Sequence, residues 1–187
     1  MHDDSDIKIF KAKSDETDSN DLFAIAEEMR RHIVNGNSPK AKELGAKLAD
    51  ISPDSDNLGE ELNKFVRNSA VDEPVRIQLK TLMLFCAEYT LLDELCPMLS
   101  ASATEAMYDK LKAESPDYYK AISNGAAISF YYLAVKKRRD IEKAVGESFA
   151  MLCEAQNSKL MATLGENVFT LTCNIIRNII AEYSFEK

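Results

Sequence analysis

The sequence predicts an all-α fold, an antiparallel bundle of about nine helices, and three observations predict it. Apolar residues recur at three- and four-residue steps through most of the chain, which is the period of one helix face. Only 6 of the 187 residues are glycine and 5 are proline, so turns are few and long helices are favoured over many short strands. The breaks that do occur are short, which predicts antiparallel neighbours in a bundle.

The strongest apolar segment runs from Val75 to Leu95. Leu79, Leu82, Met83, Cys86, Tyr89, Leu92 and Leu95 fall at helical steps, and Ile77, Leu84, Phe85 and Leu91 add a second stripe. A helix apolar on two sides is packed from two sides, so this one is predicted to be central. Asp72-Glu73-Pro74 caps its start. Cys96-Pro97 ends it, because proline lacks the N–H that a helix interior needs. Thr104 is expected to cap the next helix, to about Ala113. Ser115-Pro116-Asp117 starts another, since proline is tolerated in a first turn.

The remaining elements follow in order. Residues 1–18 are acidic and polar and read as a tail; residues 19–187 read as a single helical domain. Ser19-Asn20-Asp21 is an N-cap cluster. The helix after it, to about Val34, carries Leu22, Ile25, Ala26, Met29 and Ile33 on one face. Asn35 to Pro39 ends it and caps a helix from Pro39 to Ile51, with Leu44, Leu48 and Ile51 inward. Leu58 to about Ala70 is a further helix. After Asp117 one helix is expected through about Lys137, its end marked by the basic run Lys136 to Arg139, which suits the negative end of the helix dipole. Asp140 is expected to cap Ile141 to about Ala155. The last helix spans Lys159 to about Phe185.

Composition limits function. The net charge is −8 and the pI about 4.9, which argues against non-specific binding of nucleic acid or anionic membranes. No charge-free apolar run reaches the length of a membrane span. The acidic start is unlike a secretory signal, so a cytoplasmic protein is expected. The cysteines Cys86, Cys96, Cys153 and Cys173 have no C-x-x-C spacing and read as buried thiols in a reducing compartment. No metal or cofactor is expected. The only histidines are His2 and His32. Two Glu-x-x-His motifs are therefore absent, as are a phosphate-binding glycine loop and a nucleophile elbow. Cys–His catalysis would need one of these histidines, and neither has a cysteine at local spacing. His32 reads as a boundary residue near a helix end, and no enzymatic activity is expected.

One resemblance covers about half the chain. Leu91-Leu92-Asp93-Glu94-Leu95, Pro97, a polar loop, Tyr108 to Lys112 and then Asp117-Tyr118-Tyr119-Lys120 resemble the 14-3-3 family. There a similar helix ends in a proline loop, and the next carries a D-Y-x-R-Y-L-A signature. Gly125 to Ala155, with Phe130-Tyr131-Tyr132 and Glu142-Lys143-Ala144, is similar to the family's penultimate helix pair. Leu160 to Leu171 is similar to its last helix.

The resemblance implies a cytosolic adaptor, paired as a homodimer or heterodimer, that binds phosphoserine or phosphothreonine segments of partner proteins in a groove. Residue by residue it places phosphate cations at Lys64 and Lys120, with Arg67 as a substitute for an arginine that falls on Val71. Asn167 would hold the peptide backbone, and Leu160 and Leu164 would line the apolar side. Lys120 stands where the family has arginine, which loses the two-pronged guanidinium fork, and Ala121 stands where it has the phosphate-binding tyrosine. Ala126 and Leu133 replace its groove Asn and Glu, and Ser129 and Thr163 are polar replacements on the wall. The chain is also shorter than the family's members between Ala70 and Leu79 and between Ser123 and Gly125. Phosphate binding is therefore expected to be weaker than the family's, or the groove to bind acidic or unmodified peptides. The alternative is an unrelated helical interaction or regulatory domain, in which Lys64, Lys120 and Asn167 lie on different surfaces.

Overall fold

A computed structural model describes residues 15–53, 72–136 and 139–186. Among these residues every regular element is an α-helix, and there are eight: α1 Asp15–Val34, α2 Asn37–Leu48, α3 Glu73–Glu94, α4 Pro97–Glu114, α5 Pro116–Asn124, α6 Ala127–Lys136, α7 Ile141–Leu152 and α8 Lys159–Glu182. The helix expected from Leu58 to Ala70 and the first fourteen residues of the expected tail lie outside the described residues. No described helix is long and apolar enough to cross a membrane.

Several helix ends follow the expected chemistry. The Asp72 carboxylate accepts from the Val75 N–H at 3.2 Å, and Pro74 occupies the first turn of α3. The Ser158 hydroxyl accepts from the Met161 N–H at 3.2 Å to start α8. Gly36, at φ +77, turns the chain from α1 into α2 in the left-handed region that glycine enters without a Cβ clash. The Asn35 side chain then accepts from the Asn37 N–H at 3.2 Å.

Other ends differ from expectation. α1 begins at Asp15, so the Ser19 cluster is inside a helix rather than capping one. Pro97 does more than end α3. Extended backbone at Cys96 (φ −60, ψ 153) redirects the chain, and Pro97 is already the first residue of α4, leaving Thr104 in mid-helix. The single helix expected after Asp117 is two, because the chain is extended at Gly125 (φ −91, ψ 159). Asp140 does precede α7, but its backbone is left-handed at φ 45 and its side chain makes no cap bond. α7 stops at Leu152, with Glu154 left-handed just beyond it.

α3 is the centre of the bundle, as its two stripes predict. It packs against α4, α6, α7 and α8. Leu79, Leu82, Met83, Phe85, Cys86 and Leu91 are fully enclosed. On one side α4 carries α2 and α5; on the other α7 and α8 pack together and α6 leans on α7. Phe85 anchors an aromatic cluster, with ring centroids 5.1 Å from Tyr131, 5.2 Å from Tyr132 edge-on, and 5.8 Å from Tyr89. All four cysteines are free thiols; Cys86 and Cys173 are buried, and Cys96 and Cys153 half-buried.

α1 is the exception to inward packing. Its apolar stripe faces outward: Ile25 is 51% exposed, Met29 48% and Ile33 59%, with Ala26 also exposed. Among the described side chains of α1, Phe23 to Val34, the buried one is the imidazole of His32.

Candidate functional site

α3 to α6 surround an open surface cleft of about 420 Å³. Glu88 of α3 lies in its wall, with Tyr108 from α4, Tyr119 and Ile122 from α5, and Ile128 and Ser129 from α6. The split between α5 and α6 shapes the cleft, with the extended backbone of Gly125 at its rim. Both carboxylate oxygens of Glu88 are engaged. Tyr108 donates to one at 2.7 Å and Tyr132 to the other at 2.7 Å. Tyr108 is held in turn by the Tyr119 ring, edge-on at 6.3 Å, and Tyr132 by Phe85.

Burial, and then the bond to Glu88, pushes the Tyr108 and Tyr132 phenols well above their ordinary range. Burial pushes Tyr118 up to about 12 and holds Tyr131 high as well. These shifts set an alkaline limit. Each folded-state value is above its unfolded value near 10, so the stability tied to these neutral phenols is complete below pH 10. It is lost as pH rises past that point, when the unfolded chain releases protons that the folded chain keeps. Thermal melts are expected to show a steep fall in Tm above about pH 10. Tyr132→Phe should make that fall shallower, and an unchanged slope would contradict the assignment.

Chemically, the cleft presents hydroxyls around the Glu88 carboxylate. Such a wall attracts hydrogen-bond donors and cations and repels a phosphate dianion. The sequence holds a signal for it: Glu88 is the lone charged residue between Lys80 and Asp93.

The residues singled out by the 14-3-3 resemblance are placed as follows. Lys64 and Arg67 lie outside the described residues. Lys120 is exposed on α5, one residue beyond Tyr119, and α5 is carried by α4. Asn167 is half-buried on α8, which packs against α3 and α7. Leu160 is 81% exposed at the start of α8. Leu164, expected on the apolar side of the groove, is a core residue, 4% exposed. Ser129 lines the Glu88 cleft.

The structure also makes a pairing that local spacing could not reveal. Cys96 Sγ lies 3.6 Å from His32 Nε2. Asn37, fully buried, fixes the tautomer of that ring. The Asn37 side-chain oxygen accepts from the Glu186 N–H at 2.9 Å, and its amide nitrogen donates to the Glu186 carbonyl at 2.6 Å. This reciprocal pair orients the amide, so its NH₂ faces His32 Nδ1 at 3.1 Å. Nδ1 then accepts and Nε2 carries the hydrogen. An imidazole presenting N–H to the sulfur has no lone pair there to take the thiol proton, so this pair is not arranged as a general base and nucleophile.

No family model matches the sequence, and neither a curated protein nor a solved structure matches it.

Proposed function

We propose that the chain is an adaptor that works by joining proteins. The observation that carries this reading is the outward apolar stripe of α1. Ile25, Met29 and Ile33 form a continuous row along one helix face, and Phe23 and Val34, 70% and 80% exposed, extend the apolar surface to either side. Single exposed apolar side chains are ordinary, but a contiguous row on one helix is the mark of a surface that a partner covers. The 14-3-3 resemblance supplies the finer reading. A second copy of the chain pairs through α1, and Lys120 provides charge to a phosphoserine or phosphothreonine segment held along the bundle, with Asn167 as a backbone contact.

A second reading is favoured by Glu88. A carboxylate fixed by two phenols close to α5 opposes phosphate and suits a basic or unmodified segment, which makes the domain an interaction module without phosphate dependence. Fluorescence anisotropy separates the two. Labelled peptides, phosphorylated and unphosphorylated, are titrated with wild type and with Lys120→Glu. Phosphate-dependent binding lost in the variant supports the 14-3-3-like groove; binding indifferent to phosphate supports the second reading; no binding removes both. Light scattering tests the pairing. The 20.9 kDa chain is expected at twice its mass, with Ile33→Asp returning it to a monomer. A wild type monomeric at every concentration would remove the α1 dimer.

A further inference from the structure

We propose that Glu28, His32 and Cys96 form a binding site for a borderline divalent transition metal, best fitted by Zn²⁺, and that loading it releases the segment following α8. Glu28 and His32 are four residues apart on α1 and share a face, with the carboxylate 3.7 Å from His32 Nε2. Cys96, in the turn between α3 and α4, brings its sulfur to 3.6 Å from the same nitrogen. All three ligand atoms lie within 4.8 Å of one another. Zinc bonds of roughly 2.0–2.1 Å to nitrogen and oxygen and 2.3 Å to sulfur, set on a tetrahedron, require ligand separations of roughly 3.4–3.6 Å. The two separations measured from the imidazole are already close to those edges. The donor set of one imidazole, one thiol and one carboxylate suits zinc and excludes the all-oxygen preference of magnesium or calcium. The imidazole is buried while Cys96 and Glu28 are partly exposed, so the metal has an entry path and a fourth position is open to water or an external ligand.

Asn37 couples this site to the rest of the chain. With the metal on Nε2, the ring hydrogen moves to Nδ1 and needs an acceptor, whereas Asn37 now presents its NH₂ there. The amide must turn to offer its oxygen. Turning it breaks both hydrogen bonds to the Glu186 backbone, the same segment that Lys40 holds through the Ser184 carbonyl at 3.3 Å. Metal binding therefore opposes docking of residues 183–186. The Cys96 thiol gives its proton to solvent as it binds, and the imidazole remains neutral with its hydrogen relocated.

Cobalt(II) titration of the full chain is the test. Wild type is expected to give the intense visible bands of tetrahedral cobalt and a thiolate-to-metal charge-transfer band, saturating at one ion per chain. Cys96→Ser should lose the charge-transfer band, and Glu28→Gln should bind at least ~10-fold more weakly; both sites are partly exposed, and helical circular dichroism confirms folding. Asn37→Asp offers Nδ1–H a permanent acceptor and should bind ~10-fold more tightly. Zn²⁺ should also speed hydrogen exchange at the Glu186 amide. Absence of tetrahedral bands in wild type, or a charge-transfer band that survives in Cys96→Ser, overturns the site. Tight binding with unchanged exchange at Glu186 overturns the coupling.

Discussion

Replacing Gly45 by alanine is expected to destabilise the protein by about 3 kcal/mol, a fall in Tm of roughly 6–12 °C. Helix propensity alone gives the opposite sign. An interior helical glycine costs about 1 kcal/mol relative to alanine, so the change should stabilise an isolated α2. The packing decides otherwise. α2 crosses α4 so closely that a Cβ on Gly45 would overlap the carbonyl of Ala103, which is backbone and cannot rotate away. The two helices must separate, and the fully buried Ala41, Leu44 and Met107 at their contact then lose neighbours. Thermal melts of the wild type and Gly45→Ala are sufficient; a raised Tm would show that the helices do not meet as described.

Phe85→Ala is expected to cost about 3–5 kcal/mol, the range for deleting a fully buried aromatic ring. Its ring touches four other aromatic side chains: Tyr89, Tyr131, Tyr132 and Phe169. The loss is not confined to volume. Tyr132 rests edge-on against Phe85 and donates to Glu88, so the carboxylate loses a positioned donor as the ring repacks. Denaturant unfolding measures the first effect. Near-ultraviolet circular dichroism measures the second, and it reports the tyrosines without a tryptophan background because the chain has none. Phe85→Leu, which keeps much of the volume, should recover over half the stability but not the tyrosine signal. Recovery of both would separate Glu88 from the aromatic cluster.

The helical bundle and its centre are legible in the residues alone. The two apolar stripes on Val75 to Leu95 require packing on two sides, and α3 has neighbours on both. A local signal with one physical meaning also holds in the fold: Asp72 caps α3. Signals with two meanings do not. Pro97 can stop a helix or start one, and here it does both within a single residue step. Gly125 is compatible with a continuous helix in the linear pattern, and its extended backbone lies at the rim of the Glu88 cleft.

The sequence by itself determined that the chain is helical, which helix is central, and that its net charge is −8. Those properties depend on composition and on periodicity within single segments, which a linear reading contains in full. Tertiary structure alone decided which apolar stripe is buried and which distant side chains meet. The α1 stripe has the same period as a core helix, yet it faces out, because α1 turns His32 inward to Asn37 and Cys96. Glu28, His32 and Cys96 become a ligand set only when the α1–α2 hairpin is laid against the turn before α4. That meeting is fixed by long-range packing, with the close Gly45–Ala103 crossing at its base, and no local spacing encodes it.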